Sequence, residues 1–301
     1  NKDGVNKVLK SRVDECAPFE NVYTLALRGL HDRAMNASNN MSDRKEMLQE
    51  ALMAQRQMLV DAIGKRAEDI PQAFTPYKEV LDVYDQGLEL PDDVTIIWPD
   101  DNYGYMKRLS SPKEQKRSGR SGVYYHSSYL GKPHDHLWMN TISPTLMYEE
   151  LRKAYDLTAD RVWLLNAGDI KSCEFAVDYF LTMAFDIDSF NFERAANYRT
   201  EWLCGMLGND YRNEYQDVIN SFYKLAFARK PEFMGWGYQW ATDKHGRERN
   251  TDTDFSLANY REVDTRLAEY RRIGNVAERI LKALPEDKKA CYYQSLYYPV
   301  K

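Results

Sequence analysis

Apolar residues follow two rhythms along this chain, and each predicts its own architecture. Up to about residue 188, short unbroken apolar runs alternate with stretches whose apolar positions recur every three to four residues; beyond it only the second rhythm continues. The clearest run is Val94, Thr95, Ile96, Ile97 and Trp98. Four consecutive β-branched residues lead into an aromatic with no polar alternation to mark a wet face, which predicts a fully buried strand ended by Pro99. Val22–Leu27, Val123–Tyr129 and Arg161–Leu165 predict three more strands. Between them, helices are predicted over Gly4–Val13 (ended by Pro18), from an N-cap at Ser42 to Gly64, over Pro76–Asp85, and from Ser143-Pro144 to Leu157. A further one carries Phe175, Phe180, Leu181 and Phe185.

Buried strands separated by helices argue for a parallel sheet with helices outside it. Four strands are half of an eight-stranded barrel. The expected fold class is therefore α/β, the second half of a (β/α)8 TIM-like barrel over residues 1–188, with an open α/β sheet as the alternative. An α-helical domain is expected over residues 189–301, because Phe190–Leu207, Tyr211–Ala228 and Phe255–Leu284 lack strand-like runs. In the second of these, Tyr215, Val218, Ile219, Phe222 and Ala226 keep a helical stripe. The polar stretch SSPKEQKRSGR between Leu109 and Ser121 is long for a compact domain; it reads either as a solvated connection or as a basic lid over an anionic substrate.

A chain of 301 residues with 43% hydrophobic composition can bury a sizeable core. The net charge of -5 disfavours a nucleic-acid partner, which would call for a basic face. No apolar run approaches the roughly 18 to 20 residues of a membrane span, so a soluble protein is expected. Cys16, Cys173, Cys204 and Cys291 lie too far apart for a ligand motif and read as unpaired thiols. The start at Asn1 and the stop after the aromatic cluster Tyr292–Tyr298 read as the ends of a piece of something longer.

Each predicted strand ends in ionisable side chains. Arg28, Gly29, His31 and Asp32 follow the first, and Asp100 and Asp101 the Val94 run; His126 and then His134-Asp135-His136 follow the third, and Asn166, Gly168, Asp169 and Lys171 the fourth. Glu149 and Glu150 sit early in the helix after the third strand. Two adjacent carboxylates leaving a buried strand repel each other and lose solvation, which suits a catalytic mouth better than a stable core. Plainer roles compete. Glu149 and Glu150 suit a helix N-terminus, one of Asp100 and Asp101 suits a cap on backbone N–H groups, and Arg28 suits an ion pair with Asp32. His134-x-His136, with Asp135 and His126 near, suits a metal, or else hydrogen bonds to sugar or backbone. The run GWGYQW, with Trp236, Tyr238 and Trp240, suits either a sugar subsite or packing.

Four blocks in order carry a resemblance: Trp98 with Asp100-Asp101-Asn102-Tyr103-Gly104-Tyr105; Gly122-Val123-Tyr124-Tyr125-His126; Gly131-Lys132-Pro133-His134-Asp135; and Leu165-Asn166-Ala167-Gly168-Asp169-Ile170-Lys171. They resemble the central catalytic region of glycoside hydrolase family 115, the xylan α-1,2-glucuronidases, most strongly over residues 21–185. RGLHD, from Arg28 to Asp32, departs from the family's pattern. The resemblance implies an inverting hydrolase, without cofactor or metal, that releases glucuronic acid or 4-O-methylglucuronic acid from glucuronoxylan or glucurono-xylooligosaccharides. It also implies a bacterial periplasmic or secreted protein and a homodimer of the longer chain.

Such a reaction uses two carboxylates on opposite sides of the bond, an acid and a base. The expected candidates are Asp101 with Asp100, and Glu149 or Glu150 as partner from another element. Arg28, His31, His126, His134 and Lys171 would match the substrate's carboxylate, and Asp32, Trp98, Tyr103, Tyr105, Asn166 and Asp169 would contact the sugar. Two other readings stay open: a metal-dependent barrel hydrolase using His134 and His136, and a non-catalytic carbohydrate-binding piece.

Overall fold

The computed structural model describes residues 2–29, 34–35, 40–131, 134–237 and 241–301. Helix α1 (Lys2–Cys16) precedes β1 (Tyr23–Thr24), and α2 (Met41–Ile63), β2 (Gln72–Phe74), α3 (Glu79–Asp85), β3 (Thr95–Pro99), β4 (Ser121–His126), α4 (Pro144–Asp156), β5 (Ala159–Asn166) and α5 (Ile170–Phe185) follow. The strands form one sheet in the order β1-β2-β3-β4-β5. Tyr23 pairs with Gln72, Phe74 with Ile96 and Trp98 with Val123, all in parallel. Sequential order with parallel neighbours is the pattern of half a (β/α)8 barrel, as expected.

Helical structure then takes over, with α6 (Phe192–Leu207), α7 (Arg212–Ala228), a small hairpin of β6 (Ala241–Thr242) and β7 (Glu248–Arg249), α8 (Glu262–Ala283), α9 (Glu286–Tyr292), a π-turn and α10 (Tyr298–Val300). Asn191 starts α6 by accepting from the Arg194 N–H. No helix among the described residues is long and apolar enough to cross a membrane.

Packing divides the chain into two compact units that interleave along the sequence: residues 1–100, 106–124 and 153–164, and residues 101–105, 125–152 and 165–301. The boundary expected near residue 188 falls inside the second. The first unit is built around Leu48, Leu52, Phe74, Val83, Ile96 and Trp98. In the second, Leu203, Tyr215, Val218, Phe222, Ile273, Ile280 and Tyr292 close a separate helical core, and the stripe predicted on α7 is buried.

Several local expectations change. Strand β2 was not predicted: only three residues long and opened by Gln72, it shows neither an apolar run nor alternation, yet all three residues are buried. Asn40, not Ser42, caps α2, its side chain accepting from the Ser42 N–H at 3.0 Å. Helix α1 has no buried residue, and Val8 is 69% exposed; of its predicted apolar face, Val13 is half-buried and packs against the core. On α5, Phe175 and Phe180 are buried whereas Phe185 is 93% exposed. The third predicted strand stops at His126, and Tyr129 makes only an isolated antiparallel bridge to His136.

The basic stretch after Leu109 is not a lid. Arg117 donates to the carbonyls of Leu90, Pro91 and Val94, which pins the stretch to the entrance of β3, at the opposite end from the strand exits. Glu114 ties its other end, accepting from Arg108 at 2.8 and 3.1 Å, the Ser111 N–H at 2.7 Å and the Tyr84 hydroxyl at 2.8 Å. Burial would raise this carboxyl, but the Arg108 and Ser111 hydrogen bonds prevail and hold it at about 2. A carboxyl lowered by folding stabilises above its ordinary value near 4.5, and the gain disappears as pH falls towards about 2. Glu114→Gln is therefore expected to cost about 2 kcal/mol near pH 7. Urea unfolding of both proteins should show that gap closing between about pH 4.5 and pH 2.

Candidate active site

The loop after β3 is built by its own carboxylate. Asp100 and Met106 form an antiparallel bridge at its base. Within it, the Asp101 N–H donates to the Tyr105 carbonyl at 2.8 Å, and Asp101 Oδ1 accepts from the N–H groups of Tyr103 at 2.8 Å and Tyr105 at 3.1 Å. Two residues turn through left-handed backbone, Asn102 at φ 74° and Gly104 at φ 96°. A Cβ at Gly104 would also lie 2.8 Å from the Tyr125 hydroxyl, which donates to the Gly104 carbonyl at 3.0 Å. The backbone cap is thus Asp101. Asp100 is 2% exposed, its N–H donating to the Tyr124 carbonyl.

In the second unit several candidates meet on this loop. The Tyr103 hydroxyl donates to the His134 carbonyl at 2.6 Å and accepts from the His134 N–H at 3.1 Å. Its ring lies 5.2 Å from the His136 imidazole. Tyr105 is 41% exposed, and its phenol is raised by burial first and then by Asp101, Glu150 and Glu149 in turn. One hydroxyl therefore feels three carboxylates from two elements. Glu150 is buried; Glu149 faces outward onto a cleft of about 530 Å³ bordered by Phe192, Lys224 and Phe227.

The exits of β4 and β5 are joined by main chain. Ser127 and Ser128 both donate to the Asn166 carbonyl, and His126 is buried edge-on against Tyr129 at 5.7 Å. Asp169 precedes α5 and accepts from the Trp138 indole at 3.3 Å. Lys171 points outward with its side chain 85% exposed, 3.7 Å from Glu174, and is not gathered with the others.

In the first unit, Arg28 meets Glu79 through two bonds of 3.1 Å and lies 5.3 Å over the Tyr77 ring. Asp32, the partner expected from sequence, and His31 lie outside the described residues, as do Tyr238 and Trp240. Lys78, between Tyr77 and Glu79, holds φ 51°, a strained backbone of the kind that recurs at working sites. Trp98 corrects an expectation: it is completely buried, donating to Ser110 at 2.9 Å beneath Arg108, with no face left for a sugar.

Sequence reasoning missed Glu79, Lys230 and Glu232. Glu79 was hidden with β2, because a charged residue starting a helix looks ordinary until a strand is seen to deliver it. Lys230 and Glu232 occupy a turn after α7, where charges normally face water; here Thr141 donates to Glu232 at 3.2 Å and Lys230 donates to the Thr141 carbonyl at 3.3 Å. Burial raises the Glu232 carboxyl and lowers the Lys230 ammonium.

In the metal reading, one nitrogen of each imidazole is already engaged by backbone. His134 Nε2 donates to the Gly237 carbonyl at 2.9 Å and His136 Nε2 to the Asn102 carbonyl at 2.6 Å. Among the described residues, no group of three His, Cys, Asp or Glu side chains is arranged to hold a metal ion.

A comparison with curated proteins gives no match. Among solved structures, a relative described as a novel family GH115 4-O-methyl-α-glucuronidase, BtGH115A, with specificity for decorated arabinogalactans, superimposes with a TM-score of 0.89 at 36% identity. The superposition covers 100% of this chain and 39% of that one, so the present chain spans well under half the length of its relative. Residues 1–233 match the profile of glycosyl hydrolase family 115, and this match includes the sheet, the Asp101 loop and the turn carrying Glu232. On the strength of that match and of the 36% identity along its whole length, the chain belongs to glycosyl hydrolase family 115.

Proposed function

We propose that this chain carries part of the active site of an enzyme that hydrolyses the bond between a glucuronic acid, or 4-O-methylglucuronic acid, and the polysaccharide it decorates, with inversion at the anomeric carbon. The observation that carries the reading is the loop after β3, which Asp101 builds by accepting from the Tyr103 and Tyr105 N–H groups, with Asp101 and then Glu150 of α4 helping, after burial, to raise the Tyr105 phenol. An inverting hydrolase needs two carboxyl groups from separate elements, with room for a water, and neighbours on one loop cannot supply that spacing. Asp101 is accordingly paired with Glu150 rather than with Asp100. Tyr105 is suited to hydrogen-bond a sugar hydroxyl.

The scissile unit is the same whether the main chain is a xylan or an arabinogalactan. Glucuronoxylan is the substrate that the sequence motifs suggest, and decorated arabinogalactan is what the structural relative is described as acting on. The full-length enzyme should be incubated with each, and the released sugar followed by ¹H NMR before it mutarotates. Initial appearance of β-glucuronic acid is the expected result; initial α anomer would replace inversion by retention, and release of no uronic acid from either polymer would remove the reading.

A further inference from the structure

We propose that the cleft between α4, α6 and α7 is a second, non-catalytic saccharide-binding site, which holds a run of sugar residues of the decorated polymer and so keeps the enzyme on it. The choice of polymer rests on the function proposed above. Every wall of the cleft belongs to the second unit, and its volume of about 530 Å³ lies within the roughly 300–1,000 Å³ of small-ligand sites. Thr145 and Glu149 on α4, and Asn220, Lys224 and Phe227 on α7, recur three to four residues apart, so each set shares one helix face; Phe192 of α6 completes the lining. Adjacent residues of a helix point about 100° apart, so α4 turns Glu149 to the cleft and buries Glu150. Asp101, Tyr105 and Glu150 take no part in these walls.

Two features of the cleft serve no need of folding. Phe192 is 59% and Phe227 78% exposed, although α7 already buries a full stripe from Tyr215 to Ala226 and gains nothing from a further phenyl ring in water. The Phe192 ring is also held in place: it meets Tyr148 edge-on at 5.2 Å, and the Tyr148 hydroxyl donates to the Phe190 carbonyl at 3.2 Å. A fixed ring with much of its surface in water is a platform for the C–H face of a pyranose. Glu149 and Lys224 form neither a hydrogen bond nor an ion pair among the described residues, and Asn220 uses only its side-chain oxygen, accepting from Gln216 at 2.9 Å. A carboxylate, an ammonium and an amide nitrogen therefore share the cleft with two exposed rings. Sugar residues, with apolar faces and a rim of hydroxyls that both donate and accept, match that mixture. A protein partner would instead take both charges out of water without groups to pair them, which is costly, whereas hydroxyls satisfy both and leave the cleft wet.

The test compares the full-length enzyme with its Phe227→Ala and Phe192→Ala variants in native gels cast with glucuronoxylan or with decorated arabinogalactan, where polymer binding retards the protein. Phe227 lies mostly in water, so its substitution leaves the fold intact even if Phe192→Ala, which loses the Tyr148 contact, does not fold. Retardation of the wild type by at least one polymer, with a dissociation constant about tenfold higher in Phe227→Ala, is the expected result. Initial rates then separate this site from the catalytic one. KM on the polymer should rise by a similar factor with kcat kept, and kcat/KM on a short oligosaccharide bearing one glucuronic acid should not change. No retardation of the wild type, unchanged retardation in Phe227→Ala, or an equal loss on polymer and oligosaccharide would overturn the proposal. So would a wild-type dimer in sedimentation that Phe227→Ala abolishes while retardation persists, which would make the cleft a contact between copies. Release of no uronic acid by the wild type would defeat the proposed activity, whereas the gels would still decide what the cleft binds.

Discussion

Asp101→Asn is expected to reduce release of glucuronic acid by the full-length enzyme by about 10²–10⁴-fold while leaving the protein folded. The substitution separates two duties of one side chain. Asp101 Oδ1 receives the N–H groups of Tyr103 and Tyr105, and an asparagine keeps an oxygen acceptor at that position. The turn through Asn102 and Gly104, with the Tyr125 hydroxyl on the Gly104 carbonyl, should therefore survive. The charge does not survive. Tyr105 and Lys230 both lose a carboxylate that now acts on them, and the reaction loses a group able to give or take a proton. Asp101→Ala removes the cap as well and should add a loss of thermal stability that Asn does not show. Glu150→Gln is expected to cost as much activity as Asp101→Asn. Initial rates with circular dichroism on the same samples decide the matter: an Asn variant keeping a third or more of the wild-type rate would leave Asp101 as a structural cap only.

Gly122→Ala should be the most destabilising small substitution in the sheet, costing about 4 kcal/mol or more. Gly122 lies in β4 opposite Ile97 of β3. A Cβ there would fall 2.0 Å from the Val162 carbonyl oxygen and 3.0 Å from its carbon, both main-chain atoms of β5. No side-chain rotation relieves a clash with backbone, so the strands must part and stretch their hydrogen bonds. That loss is comparable to the whole stability of an ordinary domain, and soluble yield should collapse with the melting temperature. Gly205→Ala, on α6 with nothing within 4 Å of the new Cβ, is the matched control. It should be neutral or stabilising by up to about 1 kcal/mol, because alanine suits a helix better than glycine. Equal melting temperatures for the two variants would mean that the β4–β5 approach is looser than drawn.

Legibility in the sequence followed the length and uniformity of each element. Strand β3 was readable because four β-branched residues and a tryptophan leave no alternative to full burial. Helix α7 was readable because its five stripe residues recur at helical spacing and are all buried. Strand β2 was not, since the Gln72 amide satisfies itself on the carbonyls of Ala67 and Ile70 and so enters the core looking polar. The lid reading of the basic stretch failed for a related reason: composition shows the charge of Arg117 but not that three carbonyls before β3 await it.

By itself the sequence determined the alternation of strand and helix, the polar strand exits, and the ordered motif blocks on which membership of the family could be recognised. These are properties of neighbouring residues, and hydrophobic periodicity encodes burial locally. Tertiary structure alone decided which ionisable groups meet. It made Asp101 the cap and Asp100 the buried neighbour, gave Arg28 to Glu79, set Trp98 in the core, and packed Phe233, from the turn after α7, against Tyr103 of the Asp101 loop. Pairing of charges depends on distances across the fold and on the loss of water between them, and neither quantity is written in the order of residues along the chain.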